Sequence, residues 1–211
     1  MKVFSLSDTD SLYVSGEEKF GFLASRMFNA TLLSGTIRKF YNFVLKDIES
    51  RKFENILDIG SGTGTVLIML LKKNPELKAN GIEPSRHMIR VAGKKASKNN
   101  LGNRLTFSPG SSRSIPGTGK YDLIISTMSF HHWKDREDSV KNIMSRLTSE
   151  GRFIVYEVAD DGKFSRRMMK EHLLDRKTLE DISSAVGTSV SIIENDGFIR
   201  GEFRNIDSGK Q

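Results

Sequence analysis

Residues 56–64, ILDIGSGTG, constrain this chain more than any other stretch. A short apolar run at residues 55–59 breaks into Gly60, Gly62 and Gly64, and a second apolar run starts at Thr65. The pattern predicts a strand, a tight loop and a helix. Glycine adopts positive φ without steric penalty and leaves room for a ligand where a Cβ would stand. Such a loop delivers its ligand to a helix N-terminus, whose unpaired N–H groups favour carboxylate or phosphate. Thr65 stands where a GxGxxG dinucleotide fingerprint needs its third glycine, and no Gly-Lys-Ser/Thr follows as in a P-loop. Asp58 lies inside the apolar strand, two residues before Gly60. A carboxylate buried there is costly unless it is paired or faces a ligand, and a cationic amine is a natural partner.

Downstream, strands are predicted at residues 79–83, 104–108, 121–126 and 152–158, with helices at 65–73, 84–99 and 135–147. Alternation of this kind specifies a parallel sheet covered on both faces. The ending differs. Residues 178–186 read as a helix capped by Gly187, and residues 190–193 and 198–203 as two strands around Asn195-Asp196-Gly197, a hairpin signal. Two amphipathic helices precede the core. Phe20, Leu23, Ala24, Met27 and Phe28 keep helical spacing, as do Ile37, Phe40, Tyr41, Val44, Leu45 and Ile48. Residues 160–177 carry no clear periodicity, and Arg166, Arg167 and Lys170 within them suit either an anionic acceptor or a solvated loop. Glu83 ends the second strand, 19 residues after Gly64, where open α/β sheets place an acid on ribose hydroxyls. Met88, one turn into the next helix, suits either an adenine face or core packing.

Composition removes several kinds of chemistry. None of the 211 residues is cysteine, which excludes disulfides, thiolate metal sites and a cysteine nucleophile. The longest apolar run, residues 66–71, is too short to cross a bilayer, so no membrane insertion is expected. The N-terminal region has no apolar stretch of signal-peptide length, and the expected location is cytoplasmic. The net charge of +7 is spread along the chain. Arg86, Arg90, Lys94 and Lys98 do share one helix face; a solvated face is the simpler reading, an RNA contact the other.

These motifs resemble those of class I S-adenosylmethionine-dependent methyltransferases, in the branch of ubiquinone/menaquinone-biosynthesis-like and small-molecule enzymes. ILDIGSGTG resembles their first motif and GIEPSRHM their second, and the likeness runs from about Phe20 to Phe203. It implies an α/β, Rossmann-like fold with a seven-stranded, mostly parallel sheet, an antiparallel last strand and an N-terminal helical lid. A single domain over residues 1–211 would divide into a lid (1–50), a cofactor-binding core (51–158) and a substrate-side segment with the C-terminal hairpin (159–211). The implied cofactor is S-adenosyl-L-methionine, leaving as S-adenosyl-L-homocysteine. By resemblance, Asp58, Gly60, Ser61, Gly62, Thr63 and Gly64 contact its amino-acid end and Glu83 its ribose, with Pro84 and Met88 as further cofactor-site candidates. The third motif departs from the family. Its usual Gly-Asp-Ala is Gly110-Ser111-Ser112 here, so a shorter, uncharged hydroxyl replaces the carboxylate that reaches the adenine amine, and weaker cofactor binding is expected.

Ser126 and Thr127, followed by Met128-Ser129-Phe130-His131-His132-Trp133, resemble the fourth strand and the loop after it, of which Ser126 to His132 would line cofactor and acceptor. Methyl transfer from a sulfonium needs alignment and exclusion of water, and a base only where the acceptor must lose a proton. His131 is the candidate base, with a structural histidine as the alternative. No third His or acidic ligand accompanies His131-His132, so no metal is expected. The Asn/Asp-Pro-Pro-aromatic motif of exocyclic-amine enzymes is absent. The expected activity is methylation of a small molecule. RNA or protein methylation, and a non-catalytic cofactor-binding relative, are the alternatives, and the oligomeric state is left open.

Overall fold

The computed structural model describes residues 35–160 and 173–206. The predicted helix at residues 20–28, and Arg166, Arg167 and Lys170, lie outside these residues. The chain enters through α1 (Gly35–Glu49) and then alternates β1 (Asn55–Ile59), α2 (Thr65–Lys73), β2 (Lys78–Glu83), α3 (Arg86–Lys98) and β3 (Leu105–Pro109). After β4 (Tyr121–Thr127) come a 3-10 turn (Phe130–His132), α4 (Arg136–Met144) and β5 (Leu147–Ala159). The described remainder is β6 (Leu173–Leu174), α5 (Arg176–Val186), β7 (Thr188–Asn195) and β8 (Phe198–Asn205).

The strands form one sheet in the order β3-β2-β1-β4-β5-β8-β7, with β6 paired to β5. Strands β1 to β6 run parallel to one another, and β8 is antiparallel to both β5 and β7. This is the expected mostly parallel sheet with an antiparallel final strand. It has eight strands rather than seven, because Leu173 and Leu174 extend past the end of β4 to pair with Val158 and Ala159. Strand β5 begins earlier than predicted. Helix α4 ends at Met144, and Leu147 already pairs with Tyr121, followed by a bulge. At the hairpin, Asp196 and Gly197 both take positive φ (50° and 80°), the type I′ geometry that a right-twisted two-strand ribbon favours.

The central strands are buried on both faces, as parallel strands under two helical layers must be. Ile56, Leu123 and Ile154 meet Val44 and Leu45 of α1 and Leu67 and Leu71 of α2 on one face. Leu57, Ile124 and Val155 meet Val140 and Ile143 of α4 and Leu179 and Ile182 of α5 on the other. Each such side chain taken from water contributes about 1.5–3 kcal/mol.

A buried polar fastening also ties α1 to the sheet. The Tyr156 hydroxyl donates to Asp47 at 2.7 Å, and Arg200 Nε donates to the same carboxylate oxygen at 2.6 Å. Arg200 Nη2 also donates to Glu202, which accepts from Arg51 Nη1 at 2.8 Å. Burial pushes the Glu202 carboxyl up, but the guanidinium groups of Arg51, Arg204 and Arg200 prevail and hold it at about 2.

Candidate functional site

Parallel sheets bind ligands beyond the carboxyl ends of their strands, where neighbouring connections leave in opposite directions. Here that point falls between β1, which leads through α2 to β2 on one side, and β4 on the other. A cleft of about 1060 Å³, its open mouth included, lies there. Ile59, Glu83 and Thr127, at the ends of β1, β2 and β4, all line it.

The glycine loop forms its floor. Gly60, Gly62 and Gly64 take φ of 74°, 53° and 72°. The Gly60 and Ser61 amides donate to the Ile82 carbonyl at 2.9 and 3.1 Å, tying the loop to β2. A Cβ on Gly60 would stand 2.0 Å from Ser129 Oγ, so glycine lets the loop after β4 close over this one. Gly64 has a different reason. Its Cβ would fall 2.4 Å from the Phe107 ring, and one on Gly81 would fall 2.5 Å from the same ring.

Two carboxylates lie beside the loop. Glu83 accepts from the Gly62 amide at 3.0 Å and from the Ser85 amide at 3.0 Å, one on each oxygen. Burial raises its pKa, and the Ser85 and Gly62 amides counter this. Asp58 is 1% exposed, and its Oδ1 has no hydrogen-bond partner. Burial, then the nearby Glu83 charge, pushes it from 3.8 up to about 8. Ser61 Oγ is also buried without a partner. Open backbone at Gly62, two carboxylates and an orphaned acceptor suit a ligand with hydroxyls and a cationic amine.

The other sequence-derived residues divide by position. Gly60, Ser61, Gly62, Thr63, Glu83, Pro84, Met88, Ser111, Ser112 and Thr127 line the cleft. Asp58, Gly64, Gly110, Ser126 and His131 do not line it. The two serines that replace Gly-Asp-Ala separate in role. Ser112 Oγ is held against Ser139 Oγ at 2.8 Å, whereas Ser111 Oγ is buried without a partner.

The histidines separate too. His131 points at Glu157, with Nδ1 2.8 Å from Oε2, and its backbone N–H donates to Oε1 at 3.2 Å. His132 lines the cleft instead, its ring 3.9 Å from that of His131. The turn carrying both is pinned. Arg136 donates to the His131 carbonyl at 2.9 Å and lies over the Phe130 ring, and Trp133 Nε1 donates to Ser129 Oγ at 3.3 Å. Met128 holds φ of 49°, uncommon for a non-glycine residue, at the point where β4 turns into the cleft. Sequence reasoning did not place Phe40, Tyr41, Thr65 or Trp133 on the cleft wall, whereas Met128, Ser129 and His132 belong to the stretch expected there. For His131 and His132 a signal existed. Glu157 stands in an apolar strand and is fully buried, so it needs a partner.

The comparisons with known proteins agree with this geometry. A family model described as a methyltransferase domain matches residues 57–153. An uncharacterized methyltransferase of Bacillus cereus is 30% identical over 167 residues, which cover 75% of this chain and 76% of the relative. The chain belongs to the class I methyltransferases. Solved structures share the fold of this methyltransferase. The mitomycin 7-O-methyltransferase superposes with a TM-score of 0.74 at 18% identity, over 87% of this chain and 58% of that one. An O-methyltransferase from neocarzinostatin biosynthesis, solved with S-adenosyl-L-homocysteine and 1,4-dihydroxy-2-naphthoic acid, gives 0.72 at 16%, with the same coverage of 87% and 58%. The chain thus spans less than two thirds of the length of either structure. No helix among the described residues of this methyltransferase is long and apolar enough to cross a membrane.

Asp58 makes the stability of the ligand-free methyltransferase depend on pH. Between its ordinary value near 3.8 and its folded value of about 8, the native state keeps a proton that the unfolded chain has lost. Native stability therefore falls as pH rises through that window. Denaturant melts at pH 5 and pH 8 should show the loss, and Asp58→Asn should flatten it. An equal slope in the variant would remove Asp58 as its source.

Proposed function

We propose that this methyltransferase uses S-adenosyl-L-methionine to methylate a hydroxyl oxygen on a small, largely apolar acceptor, with His132 as the base. The observation that carries the reading is that His132 lines the cleft at the end of β4, beside the glycine loop and Glu83. When bound, the cofactor supplies a methyl group already activated on a sulfonium. Asp58 holds the ammonium of its amino-acid end, the Gly60–Gly64 backbone cradles that end, and Glu83 accepts from the ribose hydroxyls. Ser111, with its unpartnered hydroxyl, is the member of the serine pair suited to the adenine edge.

The acceptor side is built from Phe40, Met128 and Trp133, with Ser129 and His132 as its polar groups. The apolar walls exclude water and align the acceptor, which is most of what an in-line displacement requires. An imidazole nitrogen of His132 takes the hydroxyl proton as the oxygen gains its methyl group. The pinned turn keeps that ring in place, since its neighbour His131 is held by Glu157. The O-methyltransferases among the structural neighbours support an oxygen acceptor.

Two measurements test the reading. S-adenosyl-L-homocysteine should bind the full chain in calorimetry, and a labelled methyl group should pass to members of a phenol and alcohol panel. No binding would sink the cofactor assignment. Binding with transfer only to RNA, protein, amines or thiols would sink the acceptor assignment.

A further inference from the structure

We propose that Tyr41 recognises the carboxylate of the cofactor's amino-acid end, oriented from Lys95 through Thr63 and Thr65. This rests on the S-adenosylmethionine reading above. That end carries an ammonium and a carboxylate; Asp58 is assigned to the first, and Glu83 to the ribose. The carboxylate needs hydrogen-bond donors that neither acid offers. Helix α2 starts at Thr65, and its N-cap Gly64 gives no side-chain cap, so first-turn N–H groups contribute. They cannot by themselves distinguish one anion from another.

Tyr41 supplies the specific donor. It lies on α1, is 8% exposed, and lines the cleft with Thr63 and Thr65. The hydrogen-bond chain behind it starts at a group that can only donate. An ammonium donates and never accepts. Lys95 Nζ donates to Thr63 Oγ1 at 2.8 Å, which leaves the Thr63 proton able to reach Thr65 Oγ1, 3.2 Å away. The Thr65 hydroxyl in turn interacts with that of Tyr41. Run outward from Lys95, this chain makes the phenolic oxygen an acceptor and leaves its own O–H to the cleft that Tyr41 lines. Burial, with the Asp58 charge second, pushes the phenol up to about 12, so the donor proton stays in place.

Methylthioadenosine separates this role from a structural one, because it keeps the nucleoside and the sulfur but lacks the amino-acid end. Calorimetry on the full chain should show Tyr41→Phe weakening S-adenosyl-L-homocysteine by about tenfold, with methylthioadenosine within about twofold of the unaltered protein. Lys95→Met should shift the same ratio in the same direction, and Lys95→Arg should restore it. Equal losses for both ligands, or none, would overturn the role of Tyr41. Failure of the unaltered protein to bind S-adenosyl-L-homocysteine would instead overturn the cofactor reading. Melting temperatures of each variant identify any that do not fold, and Tyr41→Trp then serves as the second variant, with the same ratio expected to change.

Discussion

Replacing Glu83 with alanine is expected to raise the Kd for S-adenosyl-L-homocysteine by about two orders of magnitude. The side chain has two tasks. Its oxygens hold the Gly62 and Ser85 amides at 3.0 Å each, and in the function proposed above their remaining lone pairs accept from the ribose hydroxyls. Hydrogen bonds to a charged group contribute about 1.5–3 kcal/mol each, so losing a pair of them costs about 3 kcal/mol or more. The alanine also frees the middle of the glycine loop, adding an ordering cost on binding. The fold should survive, because the apolar ladder of β2 against β1 and β3 is untouched. Calorimetry with a parallel thermal melt reads both quantities. A Kd within about threefold of the unaltered protein would reduce Glu83 to a loop anchor.

His132→Ala is expected to lower kcat by about 10²–10⁴, the usual contribution of a positioned general base, with little change in cofactor affinity. His131→Ala should behave differently. It leaves Glu157, wholly buried, without the imidazole it faces at 2.8 Å, and should cost about 1–3 kcal/mol of stability. The contrast separates neighbours that one turn of backbone sends in different directions. If His131→Ala abolished turnover in a well-folded protein while His132→Ala turned over normally, the roles would be exchanged.

Much of this architecture was legible because burial and polarity conflict at a few positions. Asp58 in an apolar strand and Glu83 at a strand end marked the place of the cleft, since neither belongs in a core. The alternation of runs gave the parallel sheet, and Asp196-Gly197 gave the hairpin. What was not legible depends on pairs distant in sequence. Which histidine faces the cleft is decided by Glu157, 26 residues from His131. Phe40 and Tyr41 keep core spacing in α1 and are core residues, yet they also wall the cleft. One periodic stripe serves both purposes, so periodicity could not tell them apart. The two-residue β6 is too short for any pattern. The buried Asp47–Arg200–Glu202 fastening joins α1 to β8 across more than 150 residues, and no local reading reaches that far.

Phe107 has a consequence for how this fold is inherited. Its ring fills the space of two missing side chains, one at Gly64 in the loop and one at Gly81 in β2. The three positions therefore behave as one heritable unit. A descendant that shrinks Phe107 opens room at both glycines at once, although the positive φ of Gly64 still favours glycine there. A descendant that first acquires a side chain at Gly81 must shrink Phe107 to accommodate it. Covariation among these three sites, rather than the presence of the glycines alone, would mark the lineage that packs its glycine loop in this way.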